Sequence, residues 1–261
     1  FIGVGLFTNE ESFLAWGWRI PFLASFVLII ISLYIQLRLE DTEAFKELES
    51  LKEQSPNEDK VIKSSPILEA IRKYPKRISL AAGAFLSVQV TFYILIAFLL
   101  AYGVETTDLN RDDLLMAVLI GSAIMVPTQF YFSAYSDRNG RKGIFMAGAA
   151  LTAVWAFAIF PLMASGSFIL AVLAIAVGLT FLGMMYGPQA AFFAELFSTE
   201  VRYSGASLGY QLGAIIGGSF APIIATLLWK NYDIFWVSVY IAFASTLSLI
   251  SVYMLTETFQ K

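Results

Sequence analysis

The residues best suited to chemistry in this chain are charges set at the ends of apolar segments. The loop at 135–143 reads YSDRNGRKG and offers Asp137, Arg138 and Arg141 around a glycine turn. A second charged elbow, AELFSTEVRYS, offers Glu195 and Arg202. Guanidinium groups pair with carboxylates and with the carbonyls at helix C-termini, so these types support ion pairing between helix ends. Asp137, Arg138, Arg141, Glu195 and Arg202 are therefore expected to form a latch whose contacts form and break with a conformational change. Simple electrostatic anchoring of a basic loop is the competing reading of 135–143. The sequence has no histidine and no cysteine, which removes imidazole and thiolate nucleophiles, histidine proton relays, disulfides and thiolate metal sites. No metal or cofactor is expected. An enzyme would need a convergent acid, base and nucleophile set that these residues do not offer.

Polar side chains inside long apolar runs form the second constellation. Glutamines fall at 89, 129, 189 and 211, with Thr91, Thr180, Tyr93, Tyr186 and Tyr210 nearby in the sequence. Polar groups are costly in lipid and face the bundle interior, so Gln89, Thr91, Tyr93, Tyr186, Gln189, Tyr210 and Gln211 are candidates to line a cavity. Each could instead be interhelical hydrogen-bond glue, worth about 0.6 kcal/mol on average. No Asp, Glu, Lys or Arg lies in the middle of an apolar run. The chain thus shows no proton acceptor at membrane depth, Glu195 being the nearest local candidate.

Backbone-shaping residues come third. Gly205, Gly209, Gly213 and Gly217 recur every fourth residue, a stripe along which a second helix can approach backbone to backbone. Each four-residue step turns about 40° beyond a full turn, so the stripe winds and is not expected to face one straight partner. A bulky residue at Gly209 or Gly213 is expected to impair function more than one at Gly205. Gly187 and Pro188 interrupt another apolar run, as a hinge or as a static kink.

The elements that must position these residues follow from composition. Of 261 residues, 58% are hydrophobic and 14% charged, and the mean hydropathy is +0.71. Soluble domains carry about 25% charged residues, so an all-α polytopic membrane protein is indicated. Apolar runs long enough to span occur near 19–37, 78–101, 114–134, 144–164, 168–194, 203–229 and 234–255. Residues 1–37 form an external lead and one span, 38–77 a charged connector, and 78–261 a six-span bundle. Within the connector, 41–54 and 65–77 place apolar residues at helical spacing, which predicts amphipathic helices at the membrane surface or beneath the protein.

Basic residues crowd one side of this arrangement. The connector, the 135–143 loop, the elbow and Lys261 share a side, whereas Arg19, Arg111 and Lys230 fall on the other. By the positive-inside rule the connector and C-terminus are cytoplasmic in a multi-pass protein of the cell membrane.

The acid, Arg, x, Gly, Arg, basic pattern of 137–142, between the second and third spans of a six-span bundle, resembles a motif of the major facilitator superfamily. WGWRIPFL (16–23), LRLEDTEAF (37–45) and YGPQAAFFAELFSTEVRYSGASLGYQLGAIIGG (186–218) resemble, more narrowly, its metabolite:proton symporter family. The resemblance implies the C-terminal part of a twelve-helix fold: the last helix of the first half, the cytoplasmic connector and the six-helix second half. It also implies a secondary active transporter that couples a small organic acid or zwitterion to protons by alternating access, without cofactors or nucleic acid. Its partners would be the small-molecule substrate, protons, lipid and five preceding N-terminal helices, which would hold the coupling group. An uncoupled facilitator or antiporter of the same fold is the alternative, and a channel or membrane enzyme a more remote one.

Overall fold

In lipid no water meets the backbone, so each apolar segment must close its own hydrogen bonds as a helix. A computed structural model describes residues 9–38 and 65–258 of the chain. The expected amphipathic helix at 41–54 and most of the connector lie outside the described residues. Among those described, seven helices are long and apolar enough to cross a membrane, matching the seven apolar runs.

The first described stretch comprises residues 9–38. A short helix α1 (Glu10–Ala15) is capped by Asn9, whose side chain accepts from the Ser12 amide at 2.8 Å. A turn at Gly17–Arg19 leads into α2 (Ile20–Arg38), apolar along its length.

The second stretch opens with α3 (Pro66–Lys73), which takes up most of the amphipathic segment expected at 65–77, while residues 75–77 begin the next helix. It ends at Tyr74, because the residue before Pro75 is pushed out of helical geometry, here to φ −131° and ψ 41°. Ala70 is buried while Ile67, Leu68 and Ile71 remain exposed. Then follow α4 (Pro75–Thr106), α5 (Arg111–Asn139), α6 (Arg141–Ala164), α7 (Phe168–Glu195), α8 (Arg202–Asn231) and α9 (Ile234–Met254). Several of these overrun the apolar runs because polar caps extend them. Asn110 and Asp113 form a reciprocal capping box at the start of α5, with bonds of 2.9 and 3.2 Å. Gly140 separates α5 from α6 at φ +101°, a conformation that disfavours side chains.

Packing runs α5, α7, α6, α9, α4, α8, with α7 also touching α4 and α8. Helices α4 and α8 are parallel neighbours joined by the glycine stripe. A Cβ on Gly209 would lie 2.7 Å from the Ala81 Cβ, on Gly213 2.7 Å from the Ala82 carbonyl oxygen, and on Gly217 3.0 Å from that of Leu86. The contact therefore climbs by about four residues on both helices at once. Three of the four glycines meet this one partner, because α4 follows the same inclined row of residues, as two helices do when their four-residue ridges mesh. Gly205 sits elsewhere, with its Cβ position 2.4 Å from the Phe197 ring.

A polar ladder fastens α4 to α9. Ser87 and Ser245 share a hydroxyl hydrogen bond of 2.8 Å, and the Ser248 hydroxyl donates to the Gly83 carbonyl at 2.7 Å and accepts from the Ser87 amide. Both α4 and α8 widen into a π-turn, at Ile94–Phe98 and Ile215–Ser219. Such turns release local backbone bonds and are common at functional sites.

Candidate functional site: a neutral cavity and an ion cluster at one end

Parallel helices α5 and α7 approach closely where glycine removes the side chain. A Cβ on Gly187 would lie 2.8 Å from the Gln129 carbonyl oxygen and 3.1 Å from the Ser133 amide. Pro188 follows within α7, buried, and the helix runs through it to Glu195. Beside this contact α8 leaves a cavity of about 340 Å³. Its hydrogen-bonding wall consists of Gln129 from α5, Tyr186 and Gln189 from α7, and Ser207, Tyr210 and Gln211 from α8. Ala190, Phe193 and Ala206 supply the apolar part. Helices α6 and α9 contribute no lining residue.

Four of the expected cavity residues, Tyr186, Gln189, Tyr210 and Gln211, thus meet in one place. Tyr186 and Tyr210 both line the cavity, and the Tyr210 ring lies against Phe85 of α4 with centroids 4.2 Å apart. Gln189 is 3% exposed, and its Oε1 has no hydrogen-bond partner among the described residues. A buried acceptor left unpaired costs about 1–3 kcal/mol, so the position is an expensive one for a residue with no polar task. The other expected residues lie apart from the lining. Gln89 and Tyr93 pack against the π-turn of α8, where a Cβ on Gly218 would meet the Tyr93 ring at 2.8 Å and the Gln89 amide nitrogen at 3.4 Å. Thr91 is buried in α4, its hydroxyl also unpartnered.

At the end of the bundle shared by the α5–α6 turn, the α7–α8 elbow and the tail after α9, charges converge on Arg141. Its Nε donates to both carboxylate oxygens of Glu195 at 2.9 Å, and its Nη1 to Asp137 at 2.7 Å. The arginine side chain is only 12% exposed, whereas Glu195 is 35% and Asp137 57% exposed. Among the described residues, Arg138 is exposed with no ion pair, and Arg202 is exposed and reaches the Thr199 hydroxyl at 3.4 Å. Of the five expected latch residues, then, Asp137, Arg141 and Glu195 are brought together while Arg138 and Arg202 are not.

The chain tail completes this cluster, a role not anticipated from the sequence. Glu257 accepts from the Arg141 and Lys142 backbone amides, both at 3.1 Å, and so caps the N-terminus of α6. Lys142 reciprocates by donating to the Tyr253 and Leu255 carbonyls at 2.7 and 2.8 Å, capping the C-terminus of α9. Thr258 donates to Glu195. Nearby, Arg77 donates to the Leu196 carbonyl at the end of α7. The cues available were a carboxylate shortly after the last span and a basic turn on the same side.

The comparisons with known proteins bear on this arrangement of helices, cavity and ion cluster. The family profile described as Major Facilitator Superfamily matches residues 11–208. The chain belongs to that superfamily. Over 99% of its length it is 32% identical to the inner membrane metabolite transport protein YhjE of Escherichia coli K12, covering 58% of that relative. It is also 32% identical to the shikimate transporter of the same organism, over 90% of this chain and 53% of the relative. Identity to the glycine betaine/proline/ectoine/pipecolic acid transporter OusA of Dickeya dadantii is 25%, over 97% of this chain and 51% of the relative. The chain thus spans between half and three fifths of the length of these relatives. No solved structure matches it. Membership makes the chain a multi-pass membrane protein of a transporter family, and its relatives fit the metabolite:proton symporter resemblance.

Proposed function

We propose that the protein is a secondary active transporter that takes up a small organic acid or zwitterion with protons by alternating access. The observation that carries this reading is the α5–α7–α8 cavity, a polar recess built from membrane helices, two of which, α5 and α7, carry Asp137 and Glu195 of the Arg141 cluster near their ends. Its lining groups bind a solute without reacting with it. The cluster can hold that end closed in one state and loosen in another, since partly exposed pairs are weak enough to break. In this reading the cavity is completed by preceding helices of a twelve-helix fold, with the substrate site at the interface of the halves. Relatives named as shikimate and betaine transporters support this substrate class. In this reading the connector, the elbow and the tail lie in the cytoplasm of a cell-membrane protein, which the crowding of basic residues on their side supports. The glycine stripe between α4 and α8 and the Gly187–Pro188 step serve as surfaces along which these helices shift.

The test is uptake by the full-length protein in vesicles, with and without an imposed inward proton gradient, across carboxylates and betaines. Accumulation of one class that requires the gradient is expected. Equilibration unaffected by the gradient would replace symport with facilitated transport.

A further inference from the structure

The cavity wall has a chemical character that points to one part of a substrate. Among the described residues, its hydrogen-bonding groups are the amides of Gln129, Gln189 and Gln211 and the hydroxyls of Tyr186, Ser207 and Tyr210, and no carboxylate, amine or guanidinium lines it. Amides and hydroxyls both donate and accept, so this set complements a ligand group that does both. A carboxylate held here would face no cation to offset its desolvation. A quaternary ammonium would leave the amides unused and would need open aromatic faces. One such face is already taken, because the Tyr210 ring lies tilted against Phe85 with centroids 4.2 Å apart. Ligand hydroxyls suffer neither penalty. Gln189 makes the preference specific: it is almost wholly buried, it lines the cavity, and its amide has unmet hydrogen-bonding capacity.

We propose that this cavity is the subsite for the hydroxyl-bearing part of a polyhydroxylated organic acid, with Gln189 as the residue that selects it and the acid's charge met outside this cavity. The inference rests on the transporter reading above and narrows its substrate class. Amide exchange of donor and acceptor lets Gln189 serve a hydroxyl in either role, whereas leucine of similar size serves it in neither.

The experiment is titration calorimetry on the purified full-length protein with shikimate, with cyclohexene carboxylate as its analogue lacking ring hydroxyls, and with glycine betaine. The wild type is expected to bind shikimate about tenfold or more tighter than the analogue. Gln189→Leu is expected to erase that ratio by weakening shikimate while leaving the analogue unchanged. Gln189→Asn, which keeps the amide, is expected to retain part of the ratio. The wild-type ratio needs no variant, so a misfolded mutant would not rescue the idea. Equal binding of shikimate and its analogue, tighter binding of betaine, or a ratio unchanged in Gln189→Leu would overturn it. Gradient-driven uptake of betaine or of an unhydroxylated acid would sink this inference alone. Absence of uptake of any probe would remove the transporter reading with it.

Discussion

The Arg141 Nε–H is shared between the two carboxylate oxygens of Glu195, joining the start of α6 to the end of α7. The same guanidinium holds Asp137 at the end of α5, so one side chain ties three helix ends. Removing it leaves two carboxylates facing each other without their cation. Arg141→Ala is expected to destabilise the protein by about 1–2 kcal/mol, less than a fully buried pair because both carboxylates are partly exposed. Thermal unfolding in detergent checks the stability, and vesicle uptake is expected to fall strongly. Arg138→Ala and Arg202→Ala, outside the cluster, are expected to leave stability unchanged.

The tail prediction concerns Glu257. Its carboxylate caps two amides at the α6 N-terminus, and such caps are worth about 0.5–2 kcal/mol. Glu257→Ala is expected to lower the unfolding temperature. Gly140→Ala should do so as well, since it combines a positive φ with a Cβ position 2.9 Å from Glu257 Oε2. If both variants unfold at the wild-type temperature, the tail does not brace the cluster.

The glycine stripe gives a third. Gly213→Ala would press a methyl against the Ala82 carbonyl and the Phe85 Cβ, and Gly209→Ala against Ala81, so both are expected to spread α4 from α8 and depress uptake. Gly205→Ala meets the buried Phe197 ring at 2.4 Å, so its effect is expected to match theirs, contrary to the ordering read from the sequence. Gly143, exposed and with nothing within 4 Å, is the control. There alanine is expected to stabilise by up to about 1 kcal/mol through helix propensity. The measurement is uptake and unfolding temperature for the four variants together.

The serine ladder gives a fourth. Ser248→Ala removes a hydrogen bond to the Gly83 carbonyl and one from the Ser87 amide. Such bonds between membrane helices average about 0.6 kcal/mol, so a modest stability loss with near-normal uptake is expected. In a double-mutant cycle with Ser245→Ala, the excess over the separate losses measures coupling along α9.

The sequence made the spans legible because hydropathy and helix length are both set by the bilayer. It made Tyr186, Gln189, Tyr210 and Gln211 legible as a group, because polar side chains in apolar helices turn inward. What it hid was spatial. Gln89 and Gln211 look alike in sequence, yet one packs against the α8 π-turn and the other lines the cavity. Which face each takes depends on π-turns that propensity does not announce. Glu257 was hidden differently: its partner Arg141 lies 116 residues away, and only the folded bundle brings them together. The glycine stripe was visible, but its partner was not, since the crossing of α4 is a property of two surfaces.

The central claim is that the recess between α5, α7 and α8 is the substrate path. The sequence is free of cysteine, so single cysteines at Ala206 and Gln211 can be labelled with a thiol reagent in a cysteine-free full-length protein, with Gly143→Cys as a control outside the cavity. Transported substrate is predicted to slow labelling at Ala206→Cys and Gln211→Cys and to leave Gly143→Cys unaffected. Equal labelling at both cavity positions with and without substrate would contradict the account.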